Sequence, residues 1–551
     1  MSTEKQIIQD GQSILGIEFG STRIKATLID SDGNLLAQGG HQWENRLEDG
    51  IWTYHMEDIT EGLQDCYRGL CEDVHNRYQI RLTRLAALGI SGMMHGYLAF
   101  DKNGHLLVPF RTWRNTCTEE AACRLTQEFS FHIPQRWSIA HLYQAILNQE
   151  DHVQYIDHIT TLAGYIHSRL TGQHVVGIGE ASGMFPIDSS TRNYDTTMKE
   201  KFDQLILDCH YPWRLADILP EIKSAGESAG VLTSEGAAFL DPSGSLEPGC
   251  PMCPPEGDAG TGMVATNSTR LRTGNISAGT SDFAMVVLEH PLISVHDEID
   301  IVTTPVGDSV AMVHCNNFTS DLNAWAGIFR QFAKASGHPI NDSDLFPLLF
   351  QQAMEGAPDC GGLLGYNYFS GEPITKMESG CPVFLRRTDS TFSLANFMRS
   401  HIYSALATLK IGMDILLKEE QISLDRILGH GGFYKTPIVG QQMTADALNT
   451  PVSVISNAGE GGSWGMAILA AYLLYRQESS DTTDHASHSS VTDSKESSVP
   501  SDQLSEYLDR KIFVHCESST LNPLPDGVAG FEHYIENYKK GLEIERFATK
   551  L

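Results

Sequence analysis

The stretch GIEFGSTRIKATLID, residues 16–30, contains two apolar, strand-like runs joined by a glycine and two hydroxyl residues. The first run leads into Gly20-Ser21-Thr22, and the second extends from Ala26 to Ile29. Two such runs separated by a short glycine-containing segment predict a β-hairpin. Backbone N–H groups and hydroxyls at such a tip can bind phosphate oxygens without obstruction by bulky side chains. The sequence therefore predicts an anion-binding hairpin near the start of the chain.

A second stretch repeats this arrangement later in the chain. In LRTGNISAGTSDFAMVVLE, residues 271–289, the segment Gly279-Thr280-Ser281 lies between two apolar runs. A helical pattern follows each hairpin, over residues 56–77 and 393–420, and a strand that runs into glycines comes next. Strands that alternate with helices are typical of α/β folds. Because the whole order recurs about 260 residues later, we predict two related α/β domains.

Composition excludes several classes of partner. The chain has 39 Lys and Arg residues against 69 Asp and Glu residues, and its formal net charge of -30 disfavours nucleic acids. No uninterrupted apolar run approaches the roughly 20 residues of a membrane span, and the polar N-terminus lacks a signal-peptide core. The 11 cysteines are scattered, as is usual for reduced thiols. We therefore expect a cytoplasmic protein with neither a nucleic-acid nor a membrane partner.

Common phosphate and metal motifs are absent from the sequence. It contains neither the P-loop pattern GxxxxGK[ST] nor the dinucleotide pattern GxGxxG. Cys250 and Cys253 have CxxC spacing, but a zinc site would need a second pair, so a proline-rich turn is the better interpretation. Gly-Ser-Thr segments are usually only turns. The occurrence of two tips at equivalent places in two similar halves nevertheless favours phosphate binding.

Asp258 is the strongest candidate for a catalytic group. It follows Gly257 in GDAGTG, and the small residues after it would let a substrate hydroxyl approach the carboxylate. A general base must lie about 3 Å from the proton that it abstracts. The same position suits the N-cap of a helix, and the two roles are compatible.

Two further segments suit a polyol or a ketose. Met94 and His95 lie between two glycines at a strand end, and FRTWRNT supplies Trp113, Arg114 and Asn115. An apolar ring face can stack on a sugar, and the other side chains can donate to or accept from hydroxyls. The alternative interpretation is a solvated histidine and a core tryptophan, which holds unless the two segments meet.

Together these motifs resemble the FGGY family of carbohydrate kinases. GIEFGSTRIKA, GISGMMHG, GDAGTG, GNISAGTSDF, GHGGFYKTPIVGQQMTADALNTPV and EGGSWGMAILAA occur in the order and spacing of that family. The resemblance spans about residues 14–475 and is greatest to the xylulokinase-type pentulose kinases. It implies an α/β fold of two ribonuclease-H-like, actin-like ATPase domains, with an interdomain cleft for sugar and MgATP.

The resemblance also implies roles for single residues. They are Asp258 as catalytic base, Gly20, Ser21, Thr22 and Arg23 in a first phosphate loop for ATP, Gly279 and Thr280 in a second, Gly431, Gly432 and Lys435 at the adenosine, Glu18 at Mg²⁺, and Met94, His95, Trp113, Arg114 and Asn115 at the sugar. Three departures concern this assignment, and one is that the stretch from Tyr434 through Val439 is longer than in xylulokinases. The family usually has Asp where Glu18 stands, and xylulokinases tend to show Trp-Asn-Asp where this chain has Trp-Arg-Asn.

Domain boundaries follow from these motifs and from composition. We predict an N-terminal kinase domain over residues 12–268, a C-terminal kinase domain over 269–476, a flexible Ser-rich insertion over 477–502 and a helical extension over 503–551.

The predicted function is ATP-dependent phosphorylation of the terminal hydroxyl of a ketose, a pentulose first. Two alternatives are a non-catalytic actin-like sensor of nucleotide or sugar, and a kinase of the same fold that acts on a hexulose or glycerol. The sequence leaves open whether the protein is a monomer or a homodimer.

Overall fold

The computed structural model describes residues 3–455, 461–484 and 500–551. The chain divides into two compact units. The first unit consists of Met1–Arg270, Ile301–Ser309 and Ala458–His515, and the second of Leu271–Asp300, Val310–Asn457 and Cys516–Leu551.

Helices and strands alternate through most of the described chain. The α-helices are α1 (Thr3–Gln9), α2 (Met56–Tyr78), α3 (Glu119–Phe129), α4 (Ser138–Leu147), α5 (Leu162–Thr171), α6 (Ile178–Ala181), α7 (Thr196–Leu205), α8 (Leu215–Ile218), α9 (Ser234–Leu240), α10 (Asp258–Ala265), α11 (Ser320–Ala335), α12 (Asp342–Met354), α13 (Leu394–Asp414), α14 (Val439–Leu448), α15 (Gly461–Asp484), α16 (Pro500–Tyr507) and α17 (Pro525–Ala548). The strands are β1 (Ile14–Phe19), β2 (Arg23–Ile29), β3 (Leu35–Gln42), β4 (Arg46–Glu48), β5 (Ile51–Thr53), β6 (Ala87–Gly92), β7 (Leu98–Phe100), β8 (His158–Thr160), β9 (Val175–Gly177), β10 (Ile187–Asp188), β11 (Asn193–Tyr194), β12 (Glu221–Lys223), β13 (Glu256–Gly257), β14 (Thr273–Ala278), β15 (Asp282–Val287), β16 (Asp300–Thr303), β17 (Ser309–Cys315), β18 (Leu363–Tyr366), β19 (Val383–Arg386), β20 (Arg426–Gly431), β21 (Val452–Ile455) and β22 (Ser518–Leu521).

The main sheet of the first unit has the strand order β13-β6-β1-β2-β3. The predicted hairpin forms between β1 and β2, which are antiparallel, and β1 pairs in parallel with β6. Helices cover both faces of this sheet, which explains why β1 reads as an almost continuous apolar run. A Cβ on Gly16 would lie 2.1 Å from the Ser463 carbonyl oxygen of α15, and one on Gly39 would lie 2.2 Å from the Cys66 carbonyl oxygen of α2. Only glycine permits such close packing of helix on strand.

Helix α15 is part of the first unit, whereas the predicted C-terminal domain of residues 269–476 contained its first half. The reason is packing, because Trp464 and residues 466–473 share a hydrophobic core with Ile14, Ile29 and Ala87. The predicted Ser-rich insertion also differs in part, since residues 477–484 continue α15 and residues 500–502 begin α16. Residues 485–499 of that insertion lie outside the described residues.

The second unit repeats the strand pattern of the first. Its strands form a sheet in the order β17-β15-β14-β20-β21-β22, in which β14 and β15 are an antiparallel hairpin and β14 pairs in parallel with β20. The long helix α13 precedes β20, as α2 precedes β6 in the first unit. The predicted extension of residues 503–551 is not all helical, because β22 pairs with β21 and adds a strand to this sheet.

The described residues contain neither a disulfide bond nor a helix that could span a membrane. All eleven cysteines are free thiols, and Cys250 and Cys253 are both buried. Within residues 3–455, 461–484 and 500–551, no cluster of three or more His, Cys, Asp or Glu side chains could hold a metal ion. Over the same ranges, every helix is too short or too polar to cross a bilayer.

Candidate active site

The tip of the first hairpin is a tight turn held from behind by two aromatic side chains. The Gly20 N–H donates to the Arg23 carbonyl oxygen at 3.0 Å, which closes the turn. Trp43 Nε1 donates to the Gly20 carbonyl oxygen at 2.8 Å, and the Tyr54 hydroxyl donates to the Ser21 carbonyl oxygen at 2.6 Å. Because the Gly20 N–H closes the turn and both carbonyls are engaged on the inner side, the N–H groups of Ser21 and Thr22 and the Thr22 hydroxyl are the donors that the tip offers to an anion.

Glu18 and Lys25 face each other at the base of this hairpin. They are directly opposite across β1 and β2, so their side chains lie on one face of the sheet. A Cβ on Gly461 would lie 3.6 Å from Lys25 Nζ and 4.0 Å from Glu18 Oε2, which places both beside the start of α15. Sequence reasoning missed Lys25, although it alternates with Arg23 on the same strand.

The Glu18 carboxyl has the donor chemistry that Mg²⁺ prefers. Burial raises its pKa, the Lys25 ammonium and the Ser463 N–H lower it, and the nearby Asp258 charge raises it. Such a carboxylate supplies an oxygen ligand for a hard cation. Because Mg²⁺ usually keeps several waters and takes only one or two protein carboxylates, Glu18 fits a magnesium ion without a larger cluster.

Asp258 is the first residue of α10 and follows Gly257, which is the N-cap. The residue keeps access to solvent, although protein atoms surround its carboxyl on the inner side. Asp258 Oδ1 accepts a hydrogen bond from the Met94 N–H at 3.2 Å and from the Ala259 N–H at 3.0 Å. The surrounding protein raises the pKa of this carboxyl by desolvation, while those N–H groups lower it. The carboxylate is thus fixed by backbone donors with one oxygen left for a ligand.

The loop after β6 brings Met94 and His95 to Asp258. His95 has a φ of 71°, in the left-handed region, and its Nδ1 lies 3.2 Å from the Gly183 carbonyl oxygen. A Cβ on Gly183 would lie 2.6 Å from that same ring nitrogen. Both side chains of the loop are largely buried. The predicted base and the first predicted sugar segment therefore lie together in one unit.

The second predicted sugar segment meets the first through its backbone. The Tyr97 N–H donates to the Arg111 carbonyl oxygen at 2.8 Å, and the Arg111 N–H donates to Tyr97 at 3.2 Å. Trp113 is 37% exposed, so it is not a core residue. The Arg114 guanidinium lies 3.9 Å from the centroid of the Trp52 ring, a cation–π contact.

Asn115 has a structural role in this arrangement. It is buried, its Oδ1 accepts from the Trp52 N–H at 2.8 Å, and its Nδ2 donates to the Trp52 and Thr112 carbonyl oxygens at 2.9 Å each. Both amide donors are therefore used to hold the loop. The predicted sugar contact by Asn115 would require one of these hydrogen bonds to break.

Two buried glutamates next to Asp258 were missed by sequence reasoning. Glu256 accepts from the N–H groups of Gly179, Glu180 and Gly257 at 2.9–3.3 Å, and burial raises its pKa to about 7. Glu180 is fully buried, and among the described residues its carboxyl meets the Thr161 hydroxyl but no N–H donor. Burial, with the charges of Glu256 and Asp258, raises its pKa well above the usual range. Their only signal in the sequence was their position in the glycine-rich motifs GIGEASG and PPEGD.

The tip of the second hairpin is held in the same manner as the first. The Gly279 N–H donates to the Ser281 carbonyl oxygen at 2.9 Å. The Thr319 hydroxyl donates to the Gly279 carbonyl oxygen at 2.6 Å, and the Phe318 N–H donates to Thr280 at 2.9 Å. Carbonyls of the tip are again engaged within the protein, which leaves donor groups at the tip.

The predicted adenosine loop lies directly beside the second hairpin. Gly431 pairs with Ala278 in the parallel register of β14 and β20. It has a φ of +102°, and a Cβ there would lie 2.3 Å from the Ala278 carbonyl oxygen, so glycine is required. Gly432 faces open space, and Lys435 is exposed. All the predicted nucleotide residues of the second unit are therefore neighbours.

Two models of one protein family match most of the chain. The model described as "FGGY family of carbohydrate kinases, N-terminal domain" matches residues 13–243, and its C-terminal counterpart matches residues 274–474. The chain belongs to the FGGY family of carbohydrate kinases. Kinases of this family transfer a phosphoryl group from ATP to an alcohol acceptor, so the predicted family, two-domain actin-like fold and enzyme class are confirmed.

Individual relatives are distant. A xylulose kinase of Haemophilus influenzae is 23% identical over 83% of this chain and 90% of its own, and one of Bacillus subtilis is 21% identical over 83% and 88%. A glycerol kinase of Thermococcus onnurineus is 24% identical over 49% of this chain and 53% of its own. The solved xylulose kinase of Rhodospirillum rubrum has a TM-score of 0.73 at 16% identity and covers 98% of this chain and 100% of its own. A gluconate kinase of Lactobacillus acidophilus has the same TM-score at 18% identity, over 96% and 97%. These structures share the fold.

Proposed function

We propose that this FGGY kinase phosphorylates the terminal primary hydroxyl of a pentulose, with xylulose as the first candidate. The observation that carries the proposal is the hydrogen bond from the Met94 N–H to Asp258, which ties a sugar-recognition loop to a general base. The Met93 N–H also donates to the Phe19 carbonyl oxygen at 3.0 Å, so the same loop is joined to the phosphate hairpin. The names of the relatives that cover most of the chain support a pentulose.

Positioning and charge account for the catalysis in this proposal. Asp258 accepts the proton of the attacking hydroxyl, because the backbone donors bind Oδ1 and leave its other oxygen for this proton. Met94 and His95 orient the sugar, and the N–H groups and hydroxyls of Gly20–Thr22 hold phosphate oxygens. Lys25 adds a positive charge beside them. When bound with ATP, Mg²⁺ neutralises charge that develops on the phosphates, and Glu18 is the residue that would hold it.

In the second unit, the tip of Gly279–Ser281 and the loop of Gly431 and Gly432 bind the nucleotide in this proposal. The required φ at Gly431 and the open space at Gly432 support a backbone surface that a flat base and ribose can approach. Lys435 is exposed at the end of the same loop and supplies a cation. We further propose a cytoplasmic location, which the eleven free thiols support.

A coupled assay for ADP release tests the proposal. The purified chain is assayed with MgATP and a panel of D- and L-pentuloses, D-fructose, gluconate and glycerol. We expect the largest kcat/KM for one pentulose, at least about tenfold above the hexulose, because a pocket fitted to one chain length rejects a longer one by about 1–3 kcal/mol. Preference for glycerol, gluconate or the hexulose would overturn the pentulose assignment. Nucleotide binding without any turnover would instead identify a sensor. Light scattering in the same preparation distinguishes a monomer from a homodimer.

A further inference from the structure

Asp282 is a buried carboxyl directly behind the second hairpin. It is the first residue of β15 and follows Ser281, the last residue of the tip. The residue is fully buried, and among the described residues its carboxyl meets the Cys315 thiol, a weak donor, but no N–H or O–H of another residue. The sequence motif GTSDF contained this aspartate, but none of the roles described above uses it.

Such a residue is costly for the fold. A carboxylate without a partner in a protein interior loses its hydration, so the group takes up a proton instead of remaining charged. A small apolar residue would fit the buried face of β15, which it shares with Ala284 and Val286, at no such cost. Unsatisfied buried groups that persist in a fold are concentrated at functional positions.

The groups around Asp282 make its neutral form the stable one. Cys315 is its register partner on β17 and is fully buried. Burial raises the pKa of Asp282 well above the usual range, and the charge of Glu372 raises it further. Burial also raises the pKa of the Tyr434 phenol in the adjacent loop, and a charge on Asp282 would raise it further. None of the groups that shift the pKa of Asp282 is a cation.

Glu372 connects the surroundings of Asp282 to the hairpin tip. Its Oε2 accepts from the Asn316 N–H at 2.9 Å and from Asn317 Nδ2 at 3.1 Å, while its Oε1 has no hydrogen-bond partner. The segment that it holds continues to Thr319, whose hydroxyl donates to the Gly279 carbonyl oxygen. The position of the tip therefore depends on the loop that Glu372 holds, and this loop begins directly after Cys315, the register partner of Asp282.

We propose that Asp282 is a positioning residue for the nucleotide phosphates, a buried acid directly beneath the tip of the second hairpin that keeps charge away from the phosphate site. This inference rests on the proposed function of that hairpin. A proton on Asp282 keeps negative charge away from the place where phosphate oxygens bind. Loss of that proton puts a second buried negative charge one residue from the tip, which repels the phosphate and loosens the Glu372-supported loop.

Titration of the full chain with MgADP, followed by calorimetry from pH 6.5 to 9.5, tests this proposal without the need for a sugar. In the parent chain we expect the Kd to rise at least about fivefold between pH 7.0 and 9.5, because one proton linked to binding gives up to about tenfold per pH unit. In Asp282→Asn, which is neutral at every pH, the rise should stay below about twofold. The control Glu545→Gln removes another buried acid of the same unit, whose pKa is about 7, and should keep the parental pH profile.

Three outcomes would overturn the proposal. One is a pH dependence of Asp282→Asn equal to that of the parent chain. The second is a loss of affinity of about tenfold or more in this variant already at pH 6.5, since that would show a need for the charged form. The third is a lower melting temperature of Asp282→Asn than of the parent at pH 8.5, where removal of a buried acid should stabilise the fold. Should that variant fail to fold, Glu372→Gln serves instead: it removes a charge that raises the pKa of Asp282, so the rise in Kd should begin at a lower pH, and an unchanged profile would overturn the proposal. A parent chain that binds no MgADP at any pH would instead refute the proposed function itself.

Discussion

Removal of one hydroxyl group should weaken nucleotide binding through the first hairpin. Tyr54 is 1% exposed, stacks on Trp43 with ring centroids 4.1 Å apart, and donates to the Ser21 carbonyl oxygen at 2.6 Å. Burial raises the pKa of this phenol to about 12, so it is a donor at every working pH. Tyr54→Phe keeps the stacked ring and removes only the hydrogen bond, which is worth about 1 kcal/mol.

That energy sets the size of the expected effect. If the hydrogen bond holds the tip in its binding geometry, its loss raises the Kd for MgADP by about fivefold, the equivalent of about 1 kcal/mol. The melting temperature should fall by about 1–2 °C, because one hydrogen bond is a small part of the enthalpy of a long chain. Isothermal titration calorimetry measures the affinity, and a thermal melt measures the stability.

A matched control separates the tip from general stability. Tyr78 donates its hydroxyl to the Leu36 carbonyl oxygen at 2.9 Å, also in the first unit but at the end of α2. Tyr78→Phe should therefore lower the melting temperature as Tyr54→Phe does, while the Kd for MgADP stays within about 1.5-fold of the parental value. Equal affinities of the two variants would refute the reasoning, because the Tyr54 hydrogen bond would then have no effect on the phosphate hairpin.

Four further substitutions test the surroundings of the site by thermal melts. Gly257→Ala places a Cβ 2.2 Å from a neighbouring side chain and should lower the free energy of unfolding by about 1–3 kcal/mol. In Gly262→Ala the new Cβ has nothing within 4 Å, so the free energy of unfolding should rise by about 0.5–1 kcal/mol. Equal changes in the two variants would contradict this packing. Asn115→Ala should cost about 2–3 kcal/mol, because it leaves the Trp52 N–H and carbonyl without their partner, and a neutral result would contradict the structural role. Burial lowers the pKa of His141 to about 3, so below pH 6.5 the unfolded chain binds a proton that the folded chain does not. His141→Leu should therefore reduce the loss of stability between pH 6.5 and 4.5 by about 1.4 kcal/mol per pH unit. An unchanged slope of stability against pH would contradict this role of the buried His141.

Local patterns were sufficient to predict the two hairpins and their repetition. A glycine with hydroxyl neighbours between two apolar runs fixes a turn within a few residues of sequence, and the structure has β1–β2 and β14–β15 where such runs occur. Asp258 and the Met94 loop could also be predicted as site residues, since both lie at strand ends flanked by glycines. The contact between them, from 164 positions apart along the chain, could be expected only from the family resemblance.

Features that depend on long-range packing were not predictable from local patterns. The amide of Asn115 looks like a sugar ligand in the sequence, but Trp52, which lies 63 positions earlier, takes up its hydrogen bonds. Helix α15 follows the second domain along the chain, yet its apolar face completes the core of the first unit. The buried state of Glu180 and Asp282 depends on which strands and helices cover them, and an acidic residue in a glycine-rich motif gives no sign of that.

The turnover of Asp258→Asn tests the central claim most directly. With the preferred sugar and saturating MgATP, we expect kcat to fall at least about 100-fold, since general-base catalysis contributes about 10²–10⁴, while the Kd for MgADP stays within about twofold. The control is Asp195→Asn, an N-cap whose carboxylate accepts from the Met198 N–H at 2.8 Å and which asparagine can replace, so its kcat should be unchanged. If Asp258→Asn retains a tenth or more of the parental kcat, Asp258 is not the base and the account is contradicted.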